Sequence, residues 1–154
     1  NGTMQTFFEA HGIRFTGSDG KACRLAMNKW IAKQAFLANG VPTPDYILLQ
    51  KGDPDARETA MDLGFPCVIK PCSNGSSIGV TIVRDEAALD AALQLAFSME
   101  DDVLVERCIV GRELSCGVLD GKALPLIELI PSDEFYDYAC KYQAGMTREI
   151  TTAP

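Results

Sequence analysis

Two hydrophobic periods alternate along the chain. Residues 21–39, KACRLAMNKWIAKQAFLAN, carry Leu25, Ala26, Trp30, Ile31, Ala35, Phe36 and Leu37 at roughly helical spacing. Gly40 stops this helix, and Pro42 and Pro44 force an extended connection. Residues 86–97, EAALDAALQLAF, form a strongly amphipathic helix. Residues 3–11 read as the end of a helix closed by Gly12. Residues 53–63 read as a helix with acidic and proline start signals, stopped by Gly64. The strand-like runs are YILLQ at 46–50, CVIK at 67–70 and VTIVR at 80–84, then VLVERCI, ELSCGVLD and ALPLIELIP, with a turn at Asp120-Gly121. The closing segment, 132–154, is polar, aromatic and weakly periodic, as a functional loop would be.

This order predicts an α+β fold, with a mainly antiparallel sheet and flanking helices. CVIK and VTIVR are too close in sequence for a parallel crossover, so they pair as a hairpin. Its loop holds two glycines and three serines, and Lys70 ends the first strand. Such a loop suits phosphate binding, through backbone N–H groups and a lysine charge. It also matches G-x-S-x-G over Gly75-Ser76-Ser77-Ile78-Gly79. A nucleophile elbow, however, needs a helix directly after the serine, and VTIVR alternates with period two. His11, the single histidine, lies upstream, against the chain order of those hydrolases. GSDGK at 17–21 is too short for a P-loop, and Ala22 replaces the magnesium-binding hydroxyl. A mobile loop can cover a triphosphate, with Ser76, Ser77 and Gly79 donating N–H groups and Lys70 reaching the phosphates. The alternative is that Lys70 snorkels from an edge strand beside an exposed turn.

The 154 residues, 47% hydrophobic and 23% charged, suffice for one compact domain or pieces of two. A net charge of −7 argues against a nucleic-acid surface, so an anionic ligand must be held by locally placed lysines and arginines. No apolar run approaches the ~20 residues of a membrane span, and no signal peptide is evident. The absence of an initiator methionine before Asn1 and the abrupt end at Pro154 lead us to expect a fragment of a longer protein. The six cysteines form no C-x-x-C pair, which argues against zinc. Cys67, Cys108 and Cys116 lie in apolar runs and read as small hydrophobes, in a reduced, cytoplasmic setting.

Three further constellations carry chemistry. Lys29 lies in a helix with Trp30 and Ile31 on its buried stripe, where a solvated lysine is the plain alternative. Glu106 interrupts an apolar strand and Glu113 opens the next. These carboxylates can accept hydrogen bonds from an adenine amino group or ribose hydroxyls, or pair with Arg107 and Arg112. FYDYACKY places Lys141 and Tyr142 in a loop, with packing against Phe135 and Tyr136 as the alternative for Tyr142.

Taken in order, NGTMQTFFEAHGIRFTGS, LAMNK, GVPTP, LGFPCVIKPCSNGSSIGV, VLVERCIVGREL, LPLIELIP and FYDYACKY resemble the middle of a D-alanine–D-alanine ligase of the ATP-grasp superfamily. KPCSNGSSIGV followed by VERCIVGREL carries the superfamily resemblance, and FYDYACKY the branch. The resemblance implies that residues 1–20 end an N-terminal substrate domain, 21–106 form a central ATP-grasp subdomain, and 107–154 begin the C-terminal catalytic domain. It implies that Lys29 and Lys70 bind ATP phosphates and that Ser76, Ser77 and Gly79 cover them, with Ser76 also facing substrate. Glu106 and Ile109 would contact adenine, Glu113 the ribose, Arg107 would also bind the nucleotide, Lys141 would approach the γ-phosphate, and Tyr142 would join the substrate network beside Ser76.

The sequence departs from the family pattern at Arg107 (usually lysine), Asn28 (commonly aspartate) and Ala139-Cys140 (frequently Glu-Ala). The implied Mg2+ ligands would lie after Pro154, and the glutamate that orients the first substrate before Asn1, so this stretch alone is expected to be inactive. The implied reaction joins two D-alanines through an acyl phosphate for peptidoglycan synthesis, in a protein that can be a homodimer. Other ATP-grasp carboxylate–amine or carboxylate–hydroxyl ligases, and a non-catalytic nucleotide-binding module, are the alternative readings.

Overall fold

The computed structural model describes residues 1–132 and 138–151. They belong to two compact units, one formed by 1–75 with 79–108 and the other by 76–78 with the chain from Ile109 onward.

In the first unit, α1 (Thr3–Ala10) packs on α2 (Gly20–Met27), and α3 (Lys29–Ala38) follows. A four-stranded antiparallel sheet has the order β1-β4-β2-β3, from β1 (Tyr46–Gln50), β2 (Cys67–Pro71), β3 (Thr81–Val83) and β4 (Asp102–Arg107). The predicted hairpin is present, with Cys67 opposite Val83 and Ile69 opposite Thr81. α4 (Ala56–Asp62) and α5 (Leu89–Met99) supply the helical side of the core. On α5 the buried residues are Leu89, Ala92, Leu93 and Ala96, the i, i+3, i+4, i+7 stripe of an amphipathic helix. They pack with Leu49, Ile69, Val83, Val103 and Val105 from alternate positions of the four strands. Full burial of each such side chain is worth about 1.5–3 kcal/mol.

Strand parity then decides what the other sheet face carries. Tyr46 and Val68 both pair with Glu106, and Lys70 pairs with Leu104. Tyr46, Val68, Lys70, Leu104 and Glu106 therefore share the face turned away from α5.

The helix expected over 21–39 is two helices. Asn28 is extended (φ −97°, ψ 112°), and its side chain accepts a hydrogen bond from the Ile31 amide at 3.0 Å, capping α3. The break resets the helical phase. Leu25, Ile31, Phe36 and Leu37, read as a buried stripe, are exposed, while Lys33 is buried.

The second unit has a three-stranded antiparallel sheet, β5-β8-β9, from β5 (Glu113–Ser115), β8 (Ile127–Pro131) and β9 (Thr147–Ile150). β6 (Val118–Leu119) and β7 (Lys122–Ala123) form a small hairpin. Asp120 (φ 51°) and Gly121 (φ 73°) turn it, at the expected place and with the paired positive φ of a tight hairpin turn. The segment expected as a loop contains α6 (Tyr138–Tyr142) and β9, so Lys141 and Tyr142 end a helical turn. Strand pairing with β8 supplies the order that the weak periodicity of the segment conceals. Cys67 is buried as expected, but Cys108 is only half-buried and Cys116 is exposed, because the run around Cys116 has no cover. Among the described residues, no helix is long and apolar enough to cross a membrane.

Candidate functional site

In the first unit, Lys29 is the opening residue of α3, placed there by the Asn28 cap. Its amide donates to the Cys72 carbonyl at 2.9 Å. Its ammonium donates to the carbonyls of Pro71 at 3.0 Å, Cys72 at 3.3 Å and Asn74 at 2.6 Å. Lys29 is thus no solvated helix lysine: it anchors the first half of the Gly/Ser loop. Burial pushes its ammonium below the usual lysine range, and the neighbouring charge of Lys70 adds to this. A further anchor is the Ser73 amide, which donates to Glu100 at 2.8 Å. Cys72 is buried among these groups; burial first, then Glu100 and Asp102, raise its thiol to about 11. It is an inert thiol at neutral pH.

Lys70 does not snorkel from an edge, since β2 is interior to the sheet. Its ammonium hydrogen-bonds and ion-pairs with Glu106, both side chains being mostly buried. The second oxygen of Glu106 receives Lys33 at 3.0 Å. Burial alone would raise the Glu106 carboxyl, but Lys70 and Lys33 together hold it below the usual carboxylate range. Glu106 therefore pairs with two lysines and not with Arg107, which lies 3.7 Å from Asp45 on the surface. Lys33 has no counterpart among the sequence-predicted residues. Its four-residue spacing from Lys29, on one face of α3, was the available signal.

Gly79 closes the loop at φ +73°, where an added Cβ would meet Met99 and Pro71. Only glycine suits both the conformation and the space.

In the second unit, Ser76 (φ 55°) and Ser77 (φ 58°) both adopt the left-handed conformation. Each such residue costs of order 1–3 kcal/mol and persists only where its surroundings hold it. Here the side chains are held by α6. Ser76 Oγ lies 2.7 Å from the Tyr142 hydroxyl, and Lys141 donates to Ser77 Oγ at 2.7 Å. The Tyr142 ring packs on Tyr138, one turn earlier, at 4.8 Å between centroids. Phe135 and Tyr136 lie outside the described residues. Ile109 is 64% exposed and Glu113 is exposed, without the Arg112 contact considered above. Arg112 instead makes a two-pronged pair with Glu128, at 2.7 and 2.8 Å.

Residues 36–154 match the family model described as D-ala D-ala ligase C-terminus. The chain belongs to this family. A D-alanine–D-alanine ligase of Geobacter sulfurreducens is 45% identical over 150 residues, covering 97% of this chain and 47% of the relative. One from Pediococcus pentosaceus is 41% identical over 154 residues, covering 100% and 43%. Among solved structures, the D-alanine–D-alanine ligase of Bacillus anthracis superposes with a TM-score of 0.84 at 38% identity, covering 99% of this chain and 50% of that one. A structure of the Bacillus anthracis enzyme complexed with ATP gives 0.82 at 33% identity, covering 99% and 48%. The chain thus spans about half the length of the curated relatives it matches. Its α+β fold of antiparallel sheets and flanking helices is that of these ATP-grasp ligases. Among the described residues, no group of three or more His, Cys, Asp or Glu side chains is placed to hold a metal ion.

Proposed function

We propose that the intact protein joins two D-alanine molecules with ATP, releasing ADP, phosphate and D-alanyl-D-alanine for peptidoglycan precursors in the cytoplasm. In this reading the carboxylate of one D-alanine attacks the γ-phosphate to form an acyl phosphate. The amine of the second then attacks the carbonyl and expels phosphate. Membership in the ligase family supports it, as do the relatives named above.

The observation that carries the nucleotide half is the placement of Lys29 and Lys70. Both ammonium groups are partly buried at the root of one Gly/Ser loop, close enough that the charge of Lys70 disfavours that of Lys29. Bound phosphates would relieve that repulsion and stabilise both cations. Ser76, Ser77 and Gly79 would cover the phosphates, with Lys141 serving the γ-phosphate and Tyr142 with Ser76 positioning substrate. Glu106 and Ile109 would contact the base and Glu113 the ribose, with Arg107 also in the nucleotide site. Magnesium is part of the proposed reaction, with ligands other than the described residues. The chain's own share is positioning and charge stabilisation.

The test is turnover by the intact protein supplied with ATP, magnesium and D-alanine. D-alanine-dependent ADP release with formation of the dipeptide is expected. ATP turnover with a different carboxylate acceptor and no dipeptide would assign another ligase activity. Nucleotide binding without turnover would leave a binding module only.

A further inference from the structure

Lys33 is the one charged residue among the described residues that is fully buried, at 5% exposure. Its three ammonium protons have three acceptors: Thr43 Oγ1 at 2.6 Å, the Pro44 carbonyl at 3.1 Å and Glu106 at 3.0 Å. The ring of Tyr46 lies beneath it, 4.6 Å from Nζ. Lys33 is therefore enclosed, with a carboxylate among its partners. Lys70 differs. Its hydrogen-bond partner among the described residues is Glu106, its side chain is 17% exposed, and two of its donors are uncommitted. One carboxylate thus serves two lysines, of which one is locked and the other can turn.

We propose that Lys33 is a positioning residue for nucleotide binding, fixing Glu106 and remaining its counter-ion when Lys70 turns towards phosphate. The proposal rests on the nucleotide reading above. Its logic is one of charge. If Lys70 left a Glu106 that had no other partner, it would strand a buried carboxylate, and breaking such a pair is strongly unfavourable. With Lys33 in place, Glu106 keeps a hydrogen-bonded cation throughout. The carboxylate then stays aimed and ionised, and Lys70 is released to the ligand at low cost. Tyr46 and Glu106 face each other across β1 and β4, so the sheet register itself brings ring, lysine and carboxylate together.

The experiment measures binding of ATP, and of inorganic tripolyphosphate as a base-free probe, by calorimetry on the intact protein. Lys33→Met should weaken both by about tenfold or more, since Lys70 is then retained by Glu106. Adding Glu106→Gln should restore tripolyphosphate binding to within about threefold of the parent, because Lys70 no longer has a competitor. A merely structural role for Lys33 predicts no such rescue. Should Lys33→Met alone fail to fold, the pair Lys33→Met/Glu106→Gln, which removes the fully buried lysine and its carboxylate together, is compared with Glu106→Gln. A loss below about threefold between those two supports the proposal. A loss of tenfold or more would show that Lys33 acts independently of Glu106 and overturn it. Equal ATP affinity of Lys33→Met and parent would also overturn it, whereas absence of nucleotide binding by the parent would overturn the functional reading itself.

Discussion

The Tyr142 hydroxyl and Ser76 Oγ are 2.7 Å apart, joining the end of a helical turn to a serine in the left-handed conformation. A neutral phenol makes this bond without presenting a charge to an incoming substrate. An imidazole at the same place would be partly cationic near pH 6.5, favouring a carboxylate and disfavouring the ammonium form of an amino acid. The intact protein offered D-alanine and D-lactate together near neutral pH should therefore form mainly the dipeptide. Tyr142→His should shift the product ratio towards the ester. Predominant ester from the unaltered protein would refute the role of Tyr142.

Lys29 and Lys70 give a paired prediction. Lys70→Ala should weaken ATP binding by roughly 1.5–3 kcal/mol, the worth of a charge-assisted contact. The ammonium of Lys29 is held below the usual lysine range by burial and by Lys70. Phosphates favour its charged form, so ATP binding measured as pH rises towards the usual lysine range should take up protons. Calorimetry in two buffers of different ionisation enthalpy reads this directly. Lys29→Met should remove the uptake, and an uptake unchanged by the substitution would exclude Lys29 as its source.

Glu106 sets the acid limb of stability. Its folded-state pKa lies below the unfolded value of about 4.3, because the two lysines outweigh burial. The ionised carboxylate therefore contributes stability that is fully present above that value. The contribution is lost as pH falls through the lower, folded-state value. Denaturant midpoints measured between about pH 6 and pH 3 should fall more steeply in the parent than in Glu106→Gln. Parallel curves would show that Glu106 is not the titrating group.

Asn28 is the hinge on which the position of Lys29 depends. Asn28→Ala removes the cap on the Ile31 amide and should lower stability by about 0.5–2 kcal/mol. Asn28→Asp keeps the acceptor, adds a favourable charge at the helix start and should match or exceed the parent. Thermal unfolding of the three proteins distinguishes the outcomes. Identical midpoints for Asn28→Ala and parent would mean that the cap contributes nothing.

Local patterns carried much of this chain. Short apolar, β-branched runs marked β1, β2 and the residues of β4, and the period-two run VTIVR marked β3. The i, i+3, i+4 pattern marked α5. Asp120-Gly121 marked its turn, because few residue pairs tolerate that backbone. The Gly/Ser composition of the loop and Lys70 at the strand end drew attention to phosphate chemistry before any partner was visible. What tertiary structure alone decided was pairing over long separations. Lys33 and Glu106 lie far apart in sequence, and they meet because strand register sets Glu106 beside Tyr46 while the Asn28 break turns Lys33 inward. Helical periodicity read through that break pointed Phe36 and Leu37 at the core, whereas both are exposed and Lys33 is buried. Ser76 and Ser77 became left-handed, and α6 became a helical turn, through contacts between segments that neither contains alone. Propensity is a sum over neighbours in sequence, whereas a buried charge is stabilised by whatever partner the fold brings to it.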